Sequence, residues 1–211
     1  INIKNKAKSM AIGLSLISLL GTIASQIDKI LIFNLIDLKS LAIFSLGMMI
    51  GISINSLFKS ILSSFDAKLV IHNIKTWHHW FILVVGTIAG AIISYLIPFL
   101  IDLLYNEEYK ESAYFASIVT FSLGIYLVNH LLDNSNTLHQ NKNIISIYVS
   151  KVGVAIAQLI IILLIFLFSS SSEEILKFLP YVYVLKLLIQ ILLIHLTNLK
   201  IERDKVRKKS K

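Results

Sequence analysis

Four of the ionisable side chains inside long apolar stretches of this chain stand out: Asp28, Lys59, Lys151 and Lys186. A charge at the centre of a membrane helix costs roughly 2.5–3.5 kcal/mol on insertion scales, so such residues face a bundle interior or a water-filled cavity. Lys59 and Lys151 fall toward helix ends, from which their amines can snorkel to the interface. Asp28 and Lys186 have no such escape. Asp28 lies nine residues before the polar turn at Asp37, about 13 Å along a helix axis, and Lys186 twelve residues past Glu174, about 18 Å. Similar depths allow an ion pair, with two readings: a structural salt bridge, or a group that binds substrate or couples its movement.

The other residues able to do chemistry have plainer roles. In Trp77-His78-His79-Trp80 the adjacent histidines point about 100° apart on a helix and do not converge on one ion. Two tryptophans at the start of a span form an interfacial belt. His130 and Asp133 make a partly solvated pair near the end of another span. With no cysteine, no HExxH, no GxSxG and no glycine-rich phosphate loop, the sequence offers no catalytic residue, no metal site and no call for a cofactor.

The elements that must position these charges follow from composition. Of the 211 residues 56% are hydrophobic and only 15% charged, with a mean hydropathy of +0.78. Soluble domains run at about 45–50% apolar and about 25% charged, so a water-soluble globule, a nucleic-acid-binding arm and a disordered tail are excluded. Six stretches are long enough to span a bilayer: 10–36, 40–64, 78–103, 112–133, 144–169 and 175–198. Their connections are short and polar, and period-2 alternation is absent, which excludes a β-barrel. The expectation is an all-α, polytopic transmembrane helical bundle of six spans, one domain over 1–211.

Charge placement orients it. With the N-terminus cytoplasmic, thirteen of the 20 Lys and Arg fall inside and three outside (Lys39, Lys110 and Lys177), while the outer turns carry Asp37, Glu107, Glu108, Glu111, Glu173 and Glu174. Basic residues stay on the cytoplasmic face, so both termini are expected there. The basic tail 200–211 then touches anionic lipid rather than nucleic acid. The chain opens on Ile rather than Met and has no signal-peptide pattern, so it is expected to begin inside a longer product.

Within the spans, Gly47/Gly51 and Gly86/Gly90 each place two glycines one turn apart, the pattern of a helix-packing seam or a dimer face. Ser53, Asn55, Ser56, Ser60, Ser63 and Ser64 give the second span a polar stripe, which either lines a cavity or bonds to neighbouring helices.

Three segments resemble the Wzx-like polysaccharide flippases. The first runs Gly21 to Phe33 with Asp28-Lys29 late in the span, then a short turn into Leu41-Ala42-Ile43-Phe44, where the family has a Gly-x-Tyr-like helix start. The second, Leu104-Tyr105-Asn106-Glu107-Glu108-Tyr109 followed by Ser112-Ala113, is similar to the family's outer loop, with Asn106 in place of a glycine. The third is the polar, lysine-containing turn from Asn136 to Asn143. The resemblance covers nearly the whole chain in the right order. It implies one lobe, the C-terminal half, of a two-lobed MATE-like exporter in the multidrug/oligosaccharidyl-lipid/polysaccharide exporter superfamily. Such a protein sits in the bacterial inner membrane and moves a lipid-linked oligosaccharide for O-antigen, lipopolysaccharide or capsule synthesis. Its partners would be membrane lipids, that substrate, and a missing N-terminal lobe or a second copy. Lys59, Lys151 and Lys186 would hold the anionic head, and Asp28 would couple transport to an ion or tie the lobe together. A drug/cation antiporter of the same superfamily and a membrane-embedded glycan polymerase or ligase are the alternatives.

The topology is directly testable because the chain has no cysteine of its own. A cysteine placed at Ser171 should react with an impermeant maleimide from outside intact cells, and one at Ser210 should not; the reverse labelling overturns the orientation.

Overall fold

A computed structural model describes residues 3–65, 76–138 and 144–209, with side chains described for 19–65, 77–134 and 149–199 together with Ile12, Ser15 and Leu16. The described residues form seven α-helices: α1 (Ile3–Leu35), α2 (Leu38–Ser63), α3 (Thr76–Leu104), α4 (Ser112–Phe121), α5 (Leu123–Leu138), α6 (Ile144–Phe168) and α7 (Ser172–Lys209). A single 3₁₀ turn, Glu107–Tyr109, lies between α3 and α4. No strand occurs among the described residues. Helices α2, α3, α6 and α7 each contain a stretch long and apolar enough to cross a membrane.

The expected count of six spans is corrected to these four, or five when α4 and α5 count together, among the described residues. The predicted fourth span, 112–133, is not one straight helix but two, meeting at 49°. Its break has a local cause. The Ser122 hydroxyl donates to the Val119 carbonyl at 2.6 Å, and the Ser122 N–H folds back onto the same oxygen at 3.2 Å, displacing the regular helical ladder. The first expected span, 10–36, lies on α1, most of whose N-terminal side chains are outside the described set. The loop 66–75 and the turn 139–143 lie outside the described residues. So do the side chains of the basic tail from 200 onward, although its backbone continues α7 to Lys209.

The turn between α1 and α2 is set by Asp37, in extended conformation at φ −166°, whose carboxylate accepts the Ser40 N–H and hydroxyl at 2.7 Å each. This is an N-cap of ordinary kind. The same two bonds hold the Asp37 carboxyl below the usual carboxylate range, so the cap is lost only as the pH falls through that lowered value.

The bent pair α4–α5 is gripped from two sides by glycines. A Cβ on Gly47 would strike the Ser112 carbonyl and the Phe115 side chain, and one on Gly51 would meet Val119 at 2.7 Å. From the other side, a Cβ on Gly90 would stand 2.7 Å from the Thr120 carbonyl, and one on Gly86 would stand 2.7 Å from the Cα of Gly124. Both glycine pairs are therefore seams within the chain. Reciprocal bonds add to the second seam: Ser94 Oγ donates to the Ser117 carbonyl at 2.9 Å, and Ser117 Oγ to the Ser94 carbonyl at 3.1 Å. Close approach through small residues and hydroxyls is how helices associate where lipid supplies no hydrophobic drive.

Around this centre the remaining helices close a ring: α2 against α4, α1 against α2 and α6, α6 against α7, and α7 back against α4 and α5. Helix α3 stands outside the ring on α4 and α5. Its outer face, Phe81, Val84, Ile88, Ile92, Tyr95, Phe99 and Leu103, is exposed along its full length. An apolar surface this continuous suits lipid and not water.

The Gly86–Gly124 crossing should be intolerant of a single methyl. A Cβ at Gly124 meets the Leu83 carbonyl, the Thr87 hydroxyl and the Thr87 nitrogen, whereas one at Gly21 meets nothing within 4 Å. Gly124→Ala is expected to cost about 1–3 kcal/mol, the range for overpacking, and Gly21→Ala to be neutral or slightly stabilising. Apparent Tm values in nanodiscs check the difference; equal effects would mean the crossing is looser than described.

Candidate functional site

Inside the ring the packing divides by depth. Toward the Asp37 end, Ile32 of α1, Phe44 of α2, Phe115 of α4, Ile162 of α6 and Leu179 of α7 form a dry cluster, with Phe44 meeting Phe115 edge-on at 5.4 Å. Toward the opposite, basic end, the interior opens into two hollows of about 280 Å³ and about 380 Å³. Both are lined by Ser25, Gln158 and Lys186, so they form one cleft. Its deep part adds Asp28, Lys29, Ser53 and Tyr183, and its mouth adds Thr22, Lys151 and Gln190.

Three of the four sequence-predicted residues thus share one cavity. Asp28 and Lys186 face it from α1 and α7 and attract each other across it, with no ion pair at contact distance between them. The carboxylate of Asp28 instead accepts the backbone N–H of Lys29 at 2.8 Å. Lys151 stands at the mouth. The fourth residue, Lys59, is not part of the lining; it belongs to the electrostatic surroundings of Asp133, on α5.

Asp133 is where the basic end is organised. Gln190 Nε2 donates to Asp133 Oδ2 at 2.9 Å, and Asn129 Nδ2 donates to Gln190 Oε1 at 2.8 Å, a chain linking α5 to the cleft wall on α7. One helical turn away, the ring Nε2 of His130 lies 2.9 Å from Ser63 Oγ and 3.1 Å from Asn134 Nδ2. His130 and Asp133 are both half-buried, and they are neighbours of an extended polar network, not an isolated pair.

The polar stripe on α2 divides among four tasks. Ser53 lines the cleft, Asn55 donates to the Val119 carbonyl at 3.0 Å, and Ser63 meets His130. Ser60 and Ser64 bond back onto their own helix. Trp77 and Trp80 are both exposed, as a belt requires. Among the described residues no group of three or more His, Asp or Glu is placed to hold a metal.

Gln158 and Gln190 were not among the predicted site residues, yet a spacing signal existed. Gln158 follows Lys151 by seven residues and Gln190 follows Lys186 by four, each placing the amide on the lysine's own helix face. A separate hollow of about 490 Å³ lies at the Asp37 end, beyond the dry cluster, lined by Ser40, Glu111, Tyr114, Glu173 and Lys177.

Fold and site define a helical membrane bundle with a polar cleft between its helices. Neither the sequence nor the structure matches a protein-family model, a curated protein or a solved structure.

The separation of Asp28 and Lys186 makes a quantitative prediction. Asp28→Asn and Lys186→Met should each lower folded yield, and the double mutant should recover part of it, with a coupling of about 0.5–3 kcal/mol in a double-mutant cycle. Strictly additive losses would show that the two charges do not sense each other.

Proposed function

We propose that this protein is a flippase, or the C-terminal lobe of one, moving a lipid-linked oligosaccharide across a bacterial inner membrane for cell-surface polysaccharide synthesis. The observation that carries this reading is the placement of Lys151 and Lys186 in one polar cleft inside an otherwise apolar bundle. Ammonium groups hold a pyrophosphate head by charge-assisted hydrogen bonds. The amides of Gln158 and Gln190 and the hydroxyls of Thr22 and Ser25 supply donors and acceptors for sugar hydroxyls. The prenyl chain remains in the bilayer. No bond is made or broken, so the protein is a carrier and not an enzyme, and it uses no cofactor.

In this reading the helices form one lobe with both termini cytoplasmic. The cleft then opens toward the cytoplasm, and the dry cluster of Ile32, Phe44, Ile162 and Leu179 bars the outer side. A second lobe, or a second copy, would complete the pathway, and rocking of one against the other would give alternating access. A second reading, a drug/cation antiporter, draws support from the carboxylate of Asp28 in the deep part of the cleft.

Proteoliposomes at high protein density should move a fluorescent prenyl-pyrophosphate oligosaccharide between leaflets, and isolated single copies should not. Hydrogen bonds to charged groups contribute about 1.5–3 kcal/mol, so Lys186→Met should slow movement about tenfold or more. Movement of a cationic dye but not of the labelled oligosaccharide would replace this reading with the antiporter.

A further inference from the structure

The cleft and the hollow at the Asp37 end are parted by the dry cluster. The cleft ends on Ile162 and Leu179 of that cluster, and the outer hollow of about 490 Å³ begins on its Phe115. One short piece of α7 serves all three. Glu173, Leu176 and Lys177 line the outer hollow, Ile175 and Leu176 pack on the cluster, and Leu179 reaches the cleft. That piece ends at Pro180.

A proline inside a helix removes the hydrogen bond to the carbonyl four residues back, and its ring presses on that carbonyl. The chain has two prolines, Pro98 in α3 and Pro180 in α7, and α4 meets them differently. At Pro98 the carbonyl left without its donor is that of Ser94, and Ser117 Oγ of α4 donates to it at 3.1 Å. Ser94 Oγ returns a bond to the Ser117 carbonyl at 2.9 Å, beside the Gly90 seam, so this turn is fastened. At Pro180 the carbonyl concerned is that of Leu176. Tyr114 of α4 reaches this turn at the next residue, donating to the Lys177 carbonyl at 3.3 Å, with Tyr181 Oη 3.5 Å away. Both tyrosines are exposed, at 41% and 45%, and a long, exposed bond is a weak fastening. Pro180 is itself buried, so its ring presses from the inside, and relief of that pressure tips residues 172–176 outward.

We propose that the cleft and the outer hollow are two halves of one route, which α7 joins by bending at Pro180, with the Tyr114 hydroxyl as the latch that holds it shut. The route rests on the carrier reading above; the bend does not. Ser172 lies eight residues from Pro180, about 12 Å along the axis, and a proline kink of about 20° moves it by about 4 Å. The same movement withdraws Ile175 and Leu176 from the cluster they cover.

The bend is read without any substrate, in the full chain in nanodiscs, as the distance between spin labels at Lys39→Cys on α2 and Ser172→Cys on α7, both exposed. Wild type should show a main distance and a minor one about 4 Å longer. Tyr114→Phe should raise the longer distance relative to the shorter about fivefold, the weight of one neutral hydrogen bond. Pro180→Ala should leave the shorter distance alone, and a pair at Lys39→Cys and Glu107→Cys, which does not include α7, should not respond. The joining of the hollows is read by Ser53→Cys, which lines the cleft. A water-soluble maleimide, added to sealed vesicles from the side on which Ser171→Cys reacts, should label it faster in Tyr114→Phe and more slowly in Pro180→Ala. Tyr114→Leu and Pro180→Leu carry the same expected signs, should a first variant fold poorly. Unchanged distances in variants with wild-type elution and melting overturn the hinge, and changed distances with unchanged Ser53→Cys labelling overturn the route. If distances and labelling both respond and no labelled oligosaccharide moves, the gate stands and the carrier reading falls.

Discussion

The carbonyl of Val119 is the point on which the architecture turns. A helix broken in the middle of a bundle exposes backbone oxygens where water cannot reach them, and inside a membrane each must find a partner within the protein. At the break the Val119 oxygen accepts from both the hydroxyl and the N–H of Ser122, and the buried amide of Asn55 reaches it as well from α2. That single bond fixes the register of α2 against the bend. Gly47 and Gly51 then lie against α4, and Gly86 and Gly90 can take up their close approach from the opposite side. The ring of α1, α2, α6 and α7 is built onto a centre already locked.

The ring's interior is polarised along its length. Its Asp37 half holds a cluster of aliphatic and aromatic side chains, and its basic half holds amides, hydroxyls, the half-buried charges Asp28, Lys29 and Lys186, and the exposed Lys151. Such charges are tolerable only in company. Asp28 and Lys186 face one hollow, and Asp133 has Lys151, His130 and Lys59 about it, so each carboxylate stands in a field of opposite sign.

The helical, membrane-embedded character was legible from apolar run lengths alone: all six predicted stretches coincide with described helices or a helix pair, and four of them, or five with the bent pair, are long and apolar enough to span among the described residues. The bend was not legible. Ser122 is one of many serines in these spans, and Ser25 and Ser60 also bond backward in helices that continue unbroken, so residue type alone does not mark the bend. Asp28, Lys151 and Lys186 were found because a charge in an apolar run stands out. Gln158, Gln190 and Asn129 were passed over because a neutral amide carries no such signal, although its spacing from the lysines did. Lys59 was placed by depth, and depth says nothing about whether a side chain lines a cavity; Lys59 is not part of the cleft lining.

Helix α7 spans 38 residues from Ser172 to Lys209 without a break. At 1.5 Å per residue that is about 57 Å, nearly twice the roughly 30 Å of a hydrocarbon core. The same rod forms the cleft wall through Lys186 and Gln190 and the contact with Tyr114 near its first turns. A tilt of only a few degrees at the cleft would sweep its far tip through several ångströms of headgroup or aqueous space. Whatever happens around Lys186 is thereby mechanically amplified outside the bilayer, where anything resting on the basic end of α7 would feel it as a stroke.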